Sequence, residues 1–98
     1  MNGAPLQQKV VISNPQGFHM RPMAAFAQLA ARFESSVKVS REGQSVNGKS
    51  ILDLMLLAAA QGTELTVEVT GADAKAALDA LVGLLKTPTE DDSPEPSI

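Results

Sequence analysis

Gly62-Thr63-Glu64-Leu65-Thr66-Val67-Glu68-Val69-Thr70-Gly71 sets Leu65, Val67 and Val69 against Glu64, Thr66, Glu68 and Thr70. Successive side chains of a strand point to opposite faces, so this alternation predicts a strand over 63–70 with one dry face and one wet face. A sheet built from such strands is covered by helices on one side and open to water on the other.

Working outward, Asp73 opens a helix in which Ala77, Leu78, Leu81, Val82 and Leu85 recur at helical spacing. On the other side, Gln61-Gly62 closes a helix that Ser50 begins and that runs to about Ala59. Ser50-x-x-Asp53 resembles a capping box, with Asp in place of the usual Glu. Before it, Ser36–Ser40 and Gln44–Asn47 alternate with Val37, Val39 and Val46 inward, and Glu42-Gly43 between them predicts a hairpin. Phe26, Leu29, Ala30 and Phe33 mark a helix over 20–33, with Pro22 early in it where a missing N–H is harmless. Leu6–Ile12 reads as a first strand, and Ser13-Asn14-Pro15-Gln16-Gly17 as a loop of turn formers. The order β-α-β-β-α-β-α predicts an α+β open-faced β-sandwich: a four-stranded, mostly antiparallel sheet covered on one face by three helices.

Ninety-eight residues at 44% hydrophobic and 19% charged fit one folded domain. That domain is assigned to residues 1–86. Residues 87–98 carry three prolines and four acids and are read as a disordered acidic tail. The absence of cysteine excludes disulfides, thiol catalysis and Cys-based zinc sites, and a single His leaves a metal few ligands. No apolar run approaches the roughly 20 residues of a membrane span, and the first six residues lack the layout of a secretory signal. A soluble, cytoplasmic domain is expected, without metal or cofactor. Charge is graded: residues 1–60 hold six bases against three acids, residues 61–86 two against four, and the tail four acids and no base. The mildly basic first part suits an acidic protein surface better than nucleic acid.

The only His, His19, lies in Gly17-Phe18-His19-Met20-Arg21-Pro22, where the loop meets the first helix. Gly17 permits close backbone approach to a ligand. A helix start attracts anions, the Arg21 fork fits phosphate oxygens, and imidazole is a good nucleophile and proton carrier. A nucleophilic ring beside an anion cradle is what phosphoryl transfer to histidine requires. The same residues also fit an ordinary helix start with a solvated arginine. Ser50 likewise fits a plain N-cap.

Gly17–Pro22, then Lys49-Ser50 before the second helix and Gly62-Thr63 before the last strand, resemble the histidine-containing phosphocarrier (HPr) family of the bacterial phosphotransferase system. The resemblance spans about residues 6–86. It implies that His19 is phosphorylated on its δ nitrogen by the phosphohistidine of enzyme I, with Arg21 beside the transferred group. It also implies delivery to IIA components of sugar permeases, and Ser50 as the target of a dedicated ATP-dependent HPr kinase/phosphorylase. Gly17, His19 and Arg21 are the expected phosphate-binding residues. The chain would then be a phosphorylated carrier and not an enzyme. Three residues depart from the family pattern: Met20 and Met23, where small residues are usual, and Gln16, where a short polar residue often stands three positions before the histidine.

In Ile51-Leu52-Asp53-Leu54-Met55-Leu56-Leu57 a single core stripe needs only Leu54 and Leu57. Ile51, Leu52 and Met55 are left either to a deeper groove or to an exposed docking patch. The resemblance favours docking, with Met20 and Met23 extending the patch beside His19, and Arg21 and Lys49 as its basic rim. The alternative function is a regulatory HPr-like binding module controlled by phosphorylation at Ser50. An RNA-binding module fits poorly, because there is no Tyr or Trp and no strand carries a Phe. A hydrolase built on His19, Ser50 and Asp53 lacks a recognisable nucleophile turn.

Overall fold

The computed structural model describes residues 4–57 and 59–87. The elements are β1 (Leu6–Val11), α1 (Met20–Ala30), β2 (Ser36–Arg41), β3 (Gln44–Asn47), α2 (Ile51–Met55), β4 (Glu64–Thr70) and α3 (Ala74–Lys86). The four strands form one sheet in the order β1-β4-β2-β3, antiparallel throughout. Beyond Thr87, the acidic tail lies outside the described residues.

The alternation in β4 organises the interior. Leu65, Val67 and Val69 are fully buried, and the register sets them against Val10 of β1 and against Val39 and Val37 of β2. Phe26 and Ala30 of α1, Leu54 of α2, and Ala77, Leu81 and Leu85 of α3 complete the same core. Each large side chain buried here contributes roughly 1.5–3 kcal/mol of hydrophobic stabilisation. The hairpin turn has Glu42 at φ 48° and Gly43 at φ 87°, the two positive angles of a two-residue primed turn that suits twisted strands.

Two helices are shorter than their periodicity suggests. α1 closes at Ala30, with three-residue bonds from Arg32 N–H to the Leu29 carbonyl and from Phe33 N–H to that of Ala30. The cause is Asp73, whose carboxylate accepts from the Glu34 amide at 2.9 Å and the Ser35 amide at 3.0 Å, and from the Ser35 hydroxyl. The segment is thereby pulled out of helical register. Asp73 stands at the N-cap position of α3 but makes no side-chain cap bond there. These bonds, the Ser35 hydroxyl first, hold its carboxyl below the usual value of 3.8.

α2 runs only to Met55 and not to Ala59. Leu56 and Leu57 make three-residue bonds, Arg41 donates to the Leu57 carbonyl, and the Ala59 carbonyl accepts from the Phe18 amide at 2.8 Å. Tertiary donors thus take the carbonyls that further turns would need. The capping box is half realised. Ser50 accepts from the Asp53 amide at 3.2 Å, but the Asp53 carboxylate accepts from the Asn47 amide instead of returning to Ser50.

Candidate functional site

His19 is the N-cap residue of α1. Its backbone is extended (φ −101°, ψ −168°), and its carbonyl accepts the first helical bond, from Met23 N–H at 2.9 Å. Its side chain makes no cap bond to the helix amides. A helix start carries partial positive charge and amides without intrahelical acceptors, which favours an anion at this point. The half-buried ring shares a shallow open depression with Gln16, Met20, Arg21 and Ala24. A nucleophile, a guanidinium and a helix start therefore meet in one accessible hollow.

The ring is placed by a residue that the sequence shows only as a turn former. Asn14 is 7% exposed. Its side-chain nitrogen donates to the Gly17 carbonyl at 3.2 Å and lies 3.4 Å from Nε2 of His19. A buried polar side chain in an apolar surrounding is the kind of group that must find partners. No periodicity in the sequence announces it.

Gly17, expected to bind phosphate, is placed by the loop. Its amide donates to the Asn14 carbonyl at 2.8 Å, inside the loop. It sits at φ +80°, and an added Cβ would lie 2.7 Å from the Ala59 carbonyl oxygen. Gly17 is therefore required by the turn and by close packing against the segment after α2.

The expected docking residues divide into two groups. Met20 (52% exposed), Leu52 (75%) and Met55 (44%) face solvent, and Leu56 (62%) joins them. Leu56 could have been found by angle, since two residues past core-facing Leu54 lies the opposite side of a helix. Met23 is 5% exposed and belongs to the core, so it does not extend the patch. Its i+3 and i+7 relation to Phe26 and Ala30 already places it on the inward stripe. Ile51 is half-buried and packs against the core, so it offers less surface than expected.

Lys49 does not share a rim with Arg21. Its ammonium donates to the Phe33 carbonyl at 2.8 Å, past the far end of α1. An eleven-residue helix is about 16 Å long, so the two cations lie far apart. Ser50 beside Lys49 is half-buried and caps α2. His19 and Ser50 therefore stand at the starts of two different helices.

Among the described residues, no helix is long and apolar enough to cross a membrane. A family model described as "PTS HPr component phosphorylation site" matches residues 6–87. The phosphocarrier protein HPr of Cupriavidus necator is 45% identical over 80 residues, which cover 82% of this chain and 90% of that protein. The HPr-like protein Crh of Bacillus subtilis is 42% identical, over 83% of this chain and 95% of its own. The crystal structure of phosphocarrier protein HPr from Bacillus anthracis superposes with a TM-score of 0.81 at 38% identity, covering 84% of this chain and 98% of that one. With one match across the whole folded part and relatives at this identity, the chain belongs to the HPr family.

Proposed function

We propose that this protein is the phosphocarrier of a phosphoenolpyruvate-dependent sugar phosphotransferase system, acting in the cytoplasm, with His19 as its phosphoryl acceptor. Enzyme I, loaded from phosphoenolpyruvate, presents a phosphohistidine to the hollow. An imidazole nitrogen of His19 attacks phosphorus, the new N–P bond forms as the donor's N–P bond breaks, and one phosphoimidazole replaces another. The reverse exchange passes the group to a histidine of a IIA component. The carrier is a substrate of both partners and turns over no substrate of its own.

The observation that carries this reading is the N-cap imidazole without a cap bond, sharing one depression with Arg21. Such a transfer is mostly positioning and charge stabilisation. Arg21 and the helix start supply positive charge where the phosphoryl oxygens gather. Asn14 engages Nε2 and fixes the ring plane, which holds the imidazole at the hollow. Met20, Leu52, Met55 and Leu56 supply the apolar surface on which enzyme I and IIA components dock.

Incubation with enzyme I and phosphoenolpyruvate is expected to yield an acid-labile phosphate that His19→Ala abolishes. An unlabelled wild-type chain, beside an enzyme I that labels another carrier, overturns the proposal. The Crh match favours a second reading, a regulatory module switched at Ser50. A phosphate there would add negative charge beside the apolar surface of α2 and weaken docking. Labelling of Ser50 by an ATP-dependent kinase, with His19 inert to enzyme I, would select that reading.

A further inference from the structure

The chain has four methionines and no cysteine, so thioethers are its only oxidisable sulfurs. Met1 lies outside the described residues. The other three divide by environment. Met23 is buried in the core, whereas Met20 on α1 and Met55 on α2 are roughly half exposed. The two helices pack against each other. A thioether is flexible and polarisable, and it is oxidised where an oxidant can reach the sulfur. Core packing accounts for Met23, but not for the two sulfurs held in water.

Met20 follows His19 directly and is the one large apolar side chain lining the His19 hollow, beside Gln16, Arg21 and Ala24. Met55 stands with Leu52 and Leu56 on the exposed face of α2. Oxygen added to either sulfur turns a flexible apolar group into a polar, chiral sulfoxide. At an interface that polar group must find a partner or cost binding free energy. The accessible sulfurs therefore lie where a docking partner feels a change of polarity. The sulfur whose oxidation would disrupt the core is shielded by burial.

We infer that Met20 and Met55 form a reversible oxidation site, through which peroxides weaken docking of the carrier. The sulfur lone pair attacks one oxygen of hydrogen peroxide, the S–O bond forms as the O–O bond breaks, and water leaves. The sulfur gives up two electrons and the peroxide takes them. Return needs sulfoxide reductases, one for each sulfoxide epimer, and two thiols as reductant. The sulfoxide oxygen then leaves as water and the thiols become a disulfide. The effect on transfer rests on His19 being the phosphoryl acceptor; the oxidation itself does not.

Limited hydrogen peroxide is added to the full chain, then removed with catalase, and peptide mass spectrometry follows each methionine. Met20 and Met55 are expected to gain oxygen about tenfold faster than Met23, with circular dichroism unchanged. Equal rates at the three sulfurs overturn the inference, as does loss of the fold while Met23 is still reduced. The oxidised chain is expected to accept phosphate from enzyme I about tenfold more slowly at sub-saturating carrier, the order of cost of one buried unpaired polar group. Saturating carrier should restore most of the rate. Each protein is compared with its own untreated sample, and M20L/M55L, which keeps Met1 and Met23, is expected to show no peroxide effect. A peroxide effect of wild-type size in M20L/M55L overturns the regulation, as does an oxidised wild type that transfers at its untreated rate. Both sulfoxide reductases with a dithiol should return the wild type to its untreated rate, and a lasting loss overturns reversibility. If enzyme I fails to label even the untreated wild type, the phosphocarrier reading falls and the order of oxidation decides the site alone.

Discussion

Two helices of this protein start in the same way and are finished differently. Ser50 and His19 both hold an extended backbone at an N-cap, but only Ser50 turns its side chain onto its helix, accepting from the Asp53 amide. His19 gives its ring to Asn14 and the hollow instead. α2 is capped by its own N-cap side chain, whereas α1 is not; on the proposed function, the start of α1 serves the incoming phosphoryl group instead. The difference teaches where binding capacity resides: in the local stabilisation that one of two equivalent positions forgoes.

His19→Ser tests the comparison most severely, because it would make the two starts alike. Phosphoryl acceptance is expected to vanish, while urea unfolding shows stability unchanged or raised by up to about 1 kcal/mol from the new cap. A stable variant that still takes label would dissolve the distinction. Arg21→Ala leaves the ring and removes its charged neighbour. Transfer from enzyme I should slow about 10²-fold with circular dichroism unchanged, and Arg21→Lys should recover only part of that, lacking the planar fork.

Ser50→Ala reverses the first experiment. It should lower unfolding stability by about 1 kcal/mol and leave the rate of His19 labelling untouched. A matching fall in labelling would mean that the two helix starts are coupled. The smallest effect is sought at the other end of α1, where Asp73 ties down Glu34 and Ser35. Its carboxyl is held below 3.8, so its contribution is complete above that pH and is lost as pH falls through the lower native value. Asp73→Asn should flatten this acid limb of the stability curve, and the variant and wild-type curves should converge at low pH. Parallel curves would show that the clamp acts through shape and not charge.

The sheet was legible because its information is periodic. The alternation of Thr63–Thr70, the valines of β2 and β3 and the Glu42-Gly43 turn each state their structure locally. The position of His19 at a helix start was legible for the same reason. What could not be read is held by single long-range bonds. Asp73 reaches back 38 residues to Ser35 and ends α1 early, and Arg41 and Phe18 take the carbonyls that would have prolonged α2. Asn14 belongs with these, since a turn former and a ring-positioning residue look alike in one sequence. Met23 differs, because its i+3 and i+7 spacing to Phe26 and Ala30 places it on the inward stripe.

The strand order bears on how the molecule is made. Among the described residues β4 is the last strand synthesised, yet it lies between β1 and β2, and it pairs Leu6 with Val69. On the ribosome, β1 must wait unpaired until some sixty further residues have emerged, and only the β2–β3 hairpin is local enough to form beforehand. Joining β1 to the β2–β3 hairpin therefore waits on the emergence of one strand.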